Sequence, residues 1–156
     1  MIHLVPMTQS ELDSFLERDI PQFAQENVKA GYWSADEALE RSRSDHEKLL
    51  PQGLATPDHH FFNIQEAQSG QKVGIIWMKV NKEHAMPSGF IFNLEVDEPF
   101  RRRGFAAQAM LALEDKAEEL GLATLFLHVF AHNQSAQALY HKLGYQVTSL
   151  NMAKRL

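Results

Sequence analysis

The chain has 156 residues, 44% of them hydrophobic, which suits a single domain, residues 1–156, with a substantial core. Its formal charge of −5 and its one short basic tract, residues 101–103, argue against nucleic-acid binding, which uses a broad basic face. Without cysteine or a long apolar run, the sequence predicts no disulfide, no thiolate metal site and no membrane span, so we expect a cytoplasmic protein.

The first third of the chain predicts two helices, each opened by a capping box. Thr8 and Glu11 have the capping-box spacing ahead of the apolar residues of the first helix, and Pro21 predicts a bend in it. Ser34 and Glu37 repeat that spacing ahead of a second helix. The apolar positions of the second helix are Ala38, Leu39, Leu49 and Leu50.

Four stretches have the branched and aromatic composition of strands. A short apolar start, residues 2–5, predicts an edge strand, and residues 60–64 and 73–80 predict two neighbouring antiparallel strands. Residues 81–89, which include a proline and a glycine, predict the connection to a central strand over residues 90–96. The last three of these strands are expected to form a meander.

The remainder of the chain alternates helices with strands. The helix predicted after the central strand has its apolar positions at Ala106, Ala109, Met110, Leu113, Ala117 and Leu120. Residues 124–130 predict a short strand parallel to the central one, because a helix connects the two. Residues 134–143 predict a last helix, and residues 145–153 predict a terminal strand.

The turn between the central strand and its helix carries Arg101, Arg102 and Arg103, followed by Gly104. Backbone amides at a helix start, with guanidinium groups around them, suit a diphosphate. A glycine at such a junction is equally well explained by backbone geometry, so the residues leave both interpretations open. The turn is not a Walker A sequence and lacks the three glycines of a dinucleotide fingerprint, which disfavours nucleotide hydrolysis and hydride transfer.

Two segments together resemble the GNAT family of N-acetyltransferases. The first matches that family's R-x-x-G-x-G/A acetyl-CoA motif, with Ala106 where glycine is common and Arg102 where a small residue is frequent. Its matching residues are Leu94, Val96, Phe100, Arg101, Arg103, Gly104 and Ala106. The second, residues 127–145, matches at Asn133, Ala136, Leu139, Tyr140, Lys142 and Gly144. The resemblance covers residues 73–145, while the first 60 residues share only the arrangement of two helices before a sheet.

The resemblance implies an α/β fold of the GNAT type, with a mixed, mostly antiparallel sheet of six or seven strands and helices on both faces. It also implies that acetyl-CoA is the co-substrate and that its acetyl group moves to a primary amine by direct attack. In this fold a bulge near Leu94 and Glu95 separates the central strand from the strand over residues 124–130. The resulting V is the expected active site.

The resemblance assigns the cofactor contacts as well. The amides expected to hold the pyrophosphate are those of Arg101, Arg102, Arg103, Gly104, Phe105 and Ala106. Leu94 and Val96 lie on the strand expected to pair with the pantetheine amides. Asn133, with Ala136 close by at the start of the last helix, is expected to hydrogen-bond the pantetheine or to position the loop. Its alternative role is that of a simple helix cap.

Direct attack needs a base for the amine, a donor for the carbonyl oxygen and an acid for the leaving thiolate. Tyr140 is the candidate acid. Transfer of a proton from a phenol of pKa about 10 to a thiolate whose thiol has a pKa of about 8.5 costs roughly 2 kcal/mol. Tyr140 is therefore expected mainly to donate a hydrogen bond to the thiolate. Simple helix packing is the alternative for Tyr140.

A base is useful because deprotonation of a lysine-like amine at pH 7 costs roughly 4.6 kcal/mol. Glu95 is the candidate base, with Asp97 and Glu98 as competitors.

Other residues bear on the acceptor and on metals. Tyr32 and Trp33, between the first two helices, are candidates for the acceptor pocket or pack between those helices. Adjacent His59 and His60 point to opposite faces of a strand and no carboxylate completes a ligand set, so no metal is expected. The sequence does not distinguish protein N-termini, polyamines, aminoglycosides and small amines as the acceptor. It leaves the oligomeric state open between a monomer and a homodimer.

Two other classes of function fit the same scaffold. A non-catalytic acyl-CoA-binding sensor would bind the cofactor without releasing its thiol. A structural interaction module with an empty cleft would gain no stability from acetyl-CoA.

Overall fold

The computed structural model of the protein describes residues 1–83 and 85–156. The strands are β1 (Ile2–Pro6), β2 (His59–Glu66), β3 (Lys72–Asn81), β4 (Ser88–Val96) and β5 (Thr124–Leu127). The helices are α1 (Gln9–Lys29), α2 (Ala35–Leu49), α3 (Phe105–Glu119) and α4 (Gln134–Lys142). The predicted connection over residues 81–89 contains residue 84 and in that part lies outside the described residues. No helix in the described ranges has both the length and the hydropathy that crossing a bilayer needs.

The strands form one sheet in the order β1-β2-β3-β4-β5. The first three pairings are antiparallel, and β4 and β5, which α3 connects, are parallel. The sheet is therefore mixed and mostly antiparallel, as predicted. The predicted number of six or seven strands is wrong for the described part of the chain, which forms five.

The missing strand is the terminal one predicted over residues 145–153. A strand needs a neighbour to pair with its backbone groups, and residues 146–156 make no backbone hydrogen bond to any described residue. The strand β5 is also shorter than predicted, ending at Leu127 instead of residue 130. It stops there because β4 and β5 pair only as far as Ile91 and Leu127.

Helices cover both faces of the sheet, and each face has its own core. On one face α1 packs against β2 and β3, with Leu12, Phe15, Phe61, Ile75 and Trp77 buried between them. On the other face α3 buries Phe105, Ala109, Met110, Leu113 and Ala117. Of the apolar positions predicted for α3, Ala106 is only partly buried and Leu120 is exposed, because the buried face begins at Phe105.

The two predicted capping boxes have different outcomes. At α1, the Thr8 amide donates to Glu11 Oε2 at 2.8 Å and the Glu11 amide donates to Thr8 Oγ1 at 3.2 Å, so the box is formed. The helix then continues through Pro21 as one element. At α2, Ser34 is the N-cap but its side chain makes no capping hydrogen bond, so the second predicted box is not formed.

A bulge in β4 determines where the sheet opens. The β3 partners of Ile91 and Asn93 are adjacent residues, so Phe92 is the extra residue on β4. A bulge in β4 was predicted near Leu94 and Glu95, and these two residues themselves pair regularly with β3. The bulge lies before them, at the point where β4 also loses its pairing with β5.

Candidate active site

The strands β4 and β5 separate at the bulge. Their parallel pairing ends at Ile91 and Leu127, whereas β4 continues along β3 as far as Val96. The edge of residues 93–96 that faces away from β3 therefore has no strand partner within residues 1–83 and 85–156. Unpaired amides and carbonyls at such an edge can accept an extended ligand as an additional strand. We refer to this gap between β4 and β5 as the cleft.

The turn after β4 presents backbone amides at the start of α3. Gly104 is the N-cap, with a φ of 81°, and has no side chain to occupy the first amides of the helix. A Cβ atom at Gly104 would come no closer than 3.8 Å to another group, that of Gln108, so the space beside these amides is open. Phe105 places its ring in the core beneath α3, which leaves only its backbone for a ligand.

Three exposed arginines surround this turn. Arg101 donates from Nε to the Val96 carbonyl at 2.8 Å, which ties the turn to the end of β4. Arg103 lies 3.7 Å from a Glu66 oxygen. Arg102 has a φ of 66°, a left-handed conformation that is uncommon outside glycine. The turn is therefore positively charged, and its backbone conformation is unusual at two of its residues.

Tyr140, on α4, lies at the α3 face of the sheet. Its ring packs against the core beneath α3 and meets the Tyr145 ring edge-on at 5.9 Å. Burial raises the pKa of Tyr140 above its ordinary value. The Tyr145 hydroxyl donates to Glu114 at 3.4 Å, whereas the Tyr140 hydroxyl makes no hydrogen bond to a described residue. Tyr140 is therefore a neutral hydrogen-bond donor whose hydroxyl is available to a ligand.

Asn133 is the N-cap of α4. Its side-chain oxygen accepts from the Ala136 amide at 3.3 Å, so the capping role considered for it is present. Its side-chain nitrogen makes no hydrogen bond to a described residue. The cap therefore leaves one donor of Asn133 for a ligand.

Glu95 lies on the other face of the sheet, toward α1. Arg18 Nη1 donates to Glu95 Oε1 at 2.7 Å, and the two side chains are 49% and 20% exposed respectively. A partly exposed ion pair adds little stability, so its main effect is to fix the position of the carboxylate beside the cleft. Asp97 and Glu98, the competing candidates, take part in no ion pair among the described residues.

A second contact connects α1 to the segment after β5. His132 hydrogen-bonds the Glu26 carboxylate of α1 and stacks on Phe130 at 5.4 Å. His128 meets the Phe130 ring edge-on at 4.9 Å. The helix α1 therefore contacts β4 through Arg18 and the segment after β5 through Glu26.

An aromatic surface covers the α1 face of β4 next to the cleft. The Phe92 ring stacks on Trp77 at 4.7 Å and meets Phe90 edge-on at 5.0 Å, and Phe92 is 37% exposed. Trp77 Nε1 donates to His59 Nδ1 at 2.9 Å. Burial and the charge of Lys79 lower the pKa of His59 to about 4, so its ring is a neutral acceptor.

The described residues contain no group of three side chains placed to hold a metal ion.

Tyr32 and Trp33 lie in the turn between α1 and α2. The Trp33 ring meets Phe23 edge-on at 5.5 Å and lies 4.8 Å from the Arg41 guanidinium. Tyr32 is 51% exposed. The packing role considered for Trp33 is therefore present, and Tyr32 has a surface free for other contacts.

A cavity of about 510 Å³ is lined by neither the turn nor Glu95 nor Tyr140, although Tyr145, whose ring contacts Tyr140, is one of its lining residues. It runs along the outer edge of β5, between the end of α3 and residues 143–146, and we refer to it as the β5 groove. The cleft, by contrast, is a gap in the sheet that opens to solvent. The cleft is the candidate active site, because the unpaired strand edge and the amide-rich turn lie next to each other along β4.

The sequence profile of the Acetyltransferase (GNAT) family matches residues 21–145. The chain belongs to this family. It is 39% identical to the uncharacterized N-acetyltransferase YycN of Bacillus subtilis over 99% of each chain, and 37% identical to YdgE of the same organism, over 98% of this chain and 97% of that one. The crystal structure of YycN covers 100% of this chain and 99% of its own, with a TM-score of 0.95. The [ribosomal protein bS18]-alanine N-acetyltransferase of Escherichia coli is 32% identical over 58% of each chain.

Membership confirms the predicted family and fold class and makes this GNAT protein an acetyltransferase. Sequence reasoning missed Arg18, the partner of Glu95, and Phe92, the residue of the bulge. It also missed a buried polar network that connects α1 and α2 to β4 beside the cleft.

Asp19 is the centre of this network. It accepts from Asn93 Nδ2 at 2.7 Å and lies 3.0 Å from His46 Nε2. The other ring nitrogen, His46 Nδ1, is 2.8 Å from the Ser42 carbonyl. Both ring nitrogens therefore face acceptors, and only the imidazolium form can donate to both. Burial alone would lower the pKa of His46, but the hydrogen bonds to Asp19 and Ser42 and the nearby carboxylates raise it overall.

The sequence does contain a signal for this network. Asp19 follows Phe15 by four residues, which places it on the buried face of α1. Ser42 and His46 follow Ala38 at intervals of four, so the buried face of α2 is largely polar and the predicted apolar Leu39 is 45% exposed. Polar residues at core positions of two packed helices indicate a hydrogen-bonded group between them.

The raised pKa of His46 predicts a pH-dependent stability. Its contribution is complete below the ordinary histidine pKa of about 6.5 and is lost as pH rises through the higher pKa of the folded state. We expect His46→Gln to destabilise the protein by about 1–3 kcal/mol at low pH and by less at high pH. Urea unfolding at a series of pH values measures the difference, with exposed His3→Gln as the control. A difference that does not change with pH would contradict the imidazolium assignment.

Proposed function

We propose that this GNAT protein transfers the acetyl group of acetyl-CoA to a primary amine by direct attack in the cleft between β4 and β5. The observation that carries the proposal is the placement of its two candidate catalytic side chains on opposite faces of the sheet. Glu95 lies on the α1 face and Tyr140 on the α3 face. An amine that arrives on one side and a thiolate that leaves on the other need separate partners for their protons. The proposal includes a single domain over residues 1–156 that acts in the cytoplasm without a metal.

The turn after β4 supports the binding of acetyl-CoA. The pyrophosphate would accept from backbone amides of residues 101–106, at the positive end of α3 and close to exposed guanidinium groups. The pantetheine would pair with the free edge of β4 at Leu94 and Val96, as an additional strand does. The free side-chain nitrogen of Asn133, held by its bond to Ala136, supplies a further donor on the α4 side.

Glu95 would act on the amine. A lysine-like amine is protonated at pH 7 and must lose a proton before its nitrogen can attack the thioester carbonyl. Glu95, directly or through water, takes the ammonium proton and passes it to solvent. The neutral nitrogen then attacks, the C–N bond forms and the C–S bond breaks, and the second amine proton leaves to solvent. The ion pair with Arg18 holds this carboxylate at the α1 face.

Tyr140 would act on the leaving sulfur. Because burial raises its pKa, the phenol keeps its proton and stabilises the thiolate through a hydrogen bond, without full proton transfer. The thiolate then takes its proton from water after it leaves. This role requires only a neutral donor with a free hydroxyl, which is the state of Tyr140 among the described residues.

The acceptor is proposed as a primary amine without a narrower class. The relative from Escherichia coli is named for the alanine of ribosomal protein bS18, but the similarity spans 58% of the chain. The aromatic surface of Phe90 and Phe92 lies beside Glu95 on β4 and would attract an ammonium group before it is deprotonated. Tyr32 and Trp33 remain candidates for the outer part of the acceptor route.

Gly104→Ala tests the pyrophosphate site. Alanine in a left-handed conformation costs about 1–2 kcal/mol, and its methyl group occupies the open space beside the amides. We expect a weaker affinity for acetyl-CoA, measured by titration calorimetry. Gly31→Ala is the matched control, because Gly31 has a φ of 84° and open space around it, but lies between α1 and α2. Equal affinities in the two variants would refute the assignment of the turn.

Tyr140→Phe tests the role at the sulfur. Removal of the hydroxyl leaves the packing of the ring and is expected to lower kcat roughly 100-fold, with unchanged affinity for acetyl-CoA. The rate of thiol release against a panel of amines measures kcat. Tyr145→Phe is the control, because its hydroxyl already has Glu114 as partner. Tight cofactor binding with no thiol release for any amine, in the unaltered protein, would favour the sensor instead.

Glu95→Gln tests the role at the amine. We expect a kcat/KM lower by roughly 10- to 100-fold near pH 7, because glutamine cannot accept the proton. The deficit should shrink as pH approaches the amine pKa of about 10.4, where the amine is increasingly neutral. Complete pH–rate profiles measure this, with Glu98→Gln as the control. Parallel profiles for Glu95→Gln and the unaltered protein would show that another group is the base.

A further inference from the structure

Asn93 is the first residue of the free edge of β4, directly after the bulge. The pairing of β4 with β5 ends at Ile91, so Asn93 lies at the apex of the cleft, where the two strands separate. Of residues 89–96, only Asn93 and Glu95 have polar side chains. Glu95, the candidate base, therefore has one polar neighbour on its strand, and that neighbour is nearer to the apex.

The side chains of Asn93 and Glu95 lie on the same face of the sheet, toward α1. Asn93 Nδ2 donates to Asp19 Oδ1 at 2.7 Å. The next residue toward the start of α1, Arg18, donates to Glu95 Oε1 at 2.7 Å. Residues two apart on a strand have Cα atoms about 6.7 Å apart. A single nitrogen with hydrogen bonds of about 2.9 Å can therefore contact an oxygen of each side chain.

The contact with Asp19 fixes the orientation of the Asn93 amide. Because a carboxylate oxygen only accepts hydrogen bonds, the group of Asn93 that faces Asp19 must be its NH2. The other Asp19 oxygen lies 3.0 Å from His46 Nε2, and His46 Nδ1 lies 2.8 Å from the Ser42 carbonyl. This buried series of contacts holds the carboxylate in place and directs Asn93 Oδ1 away from Asp19.

Asn93 Oδ1 accepts no hydrogen bond from a described residue. Among the described residues, Asn63 Oδ1 on β2 is the one side-chain oxygen that is both fully buried and without a partner. Since Asn93 is half-buried and its Oδ1 does not share that state, this oxygen is in contact with solvent. The apex of the cleft therefore has an accessible acceptor whose orientation is fixed before a ligand arrives.

An extended cofactor would bring its thioester to this oxygen. With the pyrophosphate at the turn after β4 and the pantetheine along the free edge, the acyl end points back toward the apex of the cleft. A neutral primary amine that attacks there has two N–H groups. Glu95 can accept from one of them, and the other needs a second acceptor, because a donor left without a partner weakens binding.

We propose that Asn93 Oδ1 accepts a hydrogen bond from the attacking amine, whose second N–H donates to Glu95. Asp19 and His46 are positioning residues that hold the Asn93 amide in the required orientation. The inference rests on the proposed acetyl transfer and extends it to specificity. A nitrogen held by two acceptors is oriented with its lone pair toward the thioester carbon. A neutral secondary amine has one N–H and cannot use both acceptors, so Asn93 makes the site selective for primary amines.

Paired amines test the role of Asn93. Thiol release from acetyl-CoA is measured with phenethylamine, butylamine and an alanine-terminated peptide, each beside its N-methyl derivative. We expect the unaltered protein to prefer the primary amines, and Asn93→Ala to lower kcat/KM for them roughly tenfold or more. The N-methyl derivatives should lose much less, because their single N–H still has Glu95 as a partner.

Asp19→Asn tests the positioning role. The oxygen of the new amide stays with His46, so its NH2 faces Asn93 and turns the Asn93 amide around. We expect this variant to lose the preference for primary amines as Asn93→Ala does. A residue with only a structural role would lower the rates of primary and N-methyl amines by the same factor.

Asn63→Ala is the control. Asn63 Nδ2 donates to Glu11 of α1 at 2.9 Å, so this variant loses a contact of the same kind between a strand and α1, away from the cleft. Its preference for primary amines should equal that of the unaltered protein. Titration with acetyl-CoA verifies that each variant is folded, and Asn93→Val repeats the test if the alanine variant is not.

The outcomes separate this inference from the proposed function. An unaltered protein without a preference for primary amines overturns the inference, and so does an Asn93→Ala variant that keeps the preference or loses activity equally with both kinds of amine. In each of these cases acetyl transfer itself stands. A folded, unaltered protein that releases no thiol with any amine overturns the proposed function, and the inference with it.

Discussion

The bulge at Phe92 is the feature on which the geometry of the site depends. Because β4 has one residue more than β3 at this point, it changes direction and loses its pairing with β5 beyond Ile91. Four residues of β4 are left with one free edge in the middle of a sheet that is otherwise paired. A continuous pairing of β4 with β5 would leave this edge of β4 covered, so the local irregularity creates the cleft.

The two faces of the sheet carry different kinds of groups. The α3 face contributes the amide-rich turn and Tyr140, both close to an apolar core that excludes water. The α1 face contributes charged and polar groups: Glu95 with Arg18, Asn93 with Asp19, and His132 with Glu26. Burial keeps Tyr140 neutral, while ion pairs fix the carboxylates. One sheet therefore keeps a neutral buried phenol and an ion-paired carboxylate on opposite faces.

The sequence predicted the features that depend on local periodicity and failed where they depend on partners. The four helices, the capping box at Thr8, the five strands as chain segments and the turn at Gly104 all follow from short-range patterns. The position of the bulge depends on the register between β3 and β4, which no single stretch of sequence specifies. Arg18 and Glu95 are 77 residues apart, and neither predicts the other. The residues of the site were proposed through family motifs, and these contain no residue of α1.

The terminal strand is the most informative of the wrong predictions. Residues 145–153 have the composition of a strand. They do not form one because they have no neighbouring segment to pair with, and not because their local preference is for another structure. A strand is stable only with a neighbour, so its prediction from sequence is a statement about a pair of segments. Because the terminal segment has no such neighbour, the sheet has five strands instead of six or seven, and the outer edge of β5 stays unpaired among the described residues.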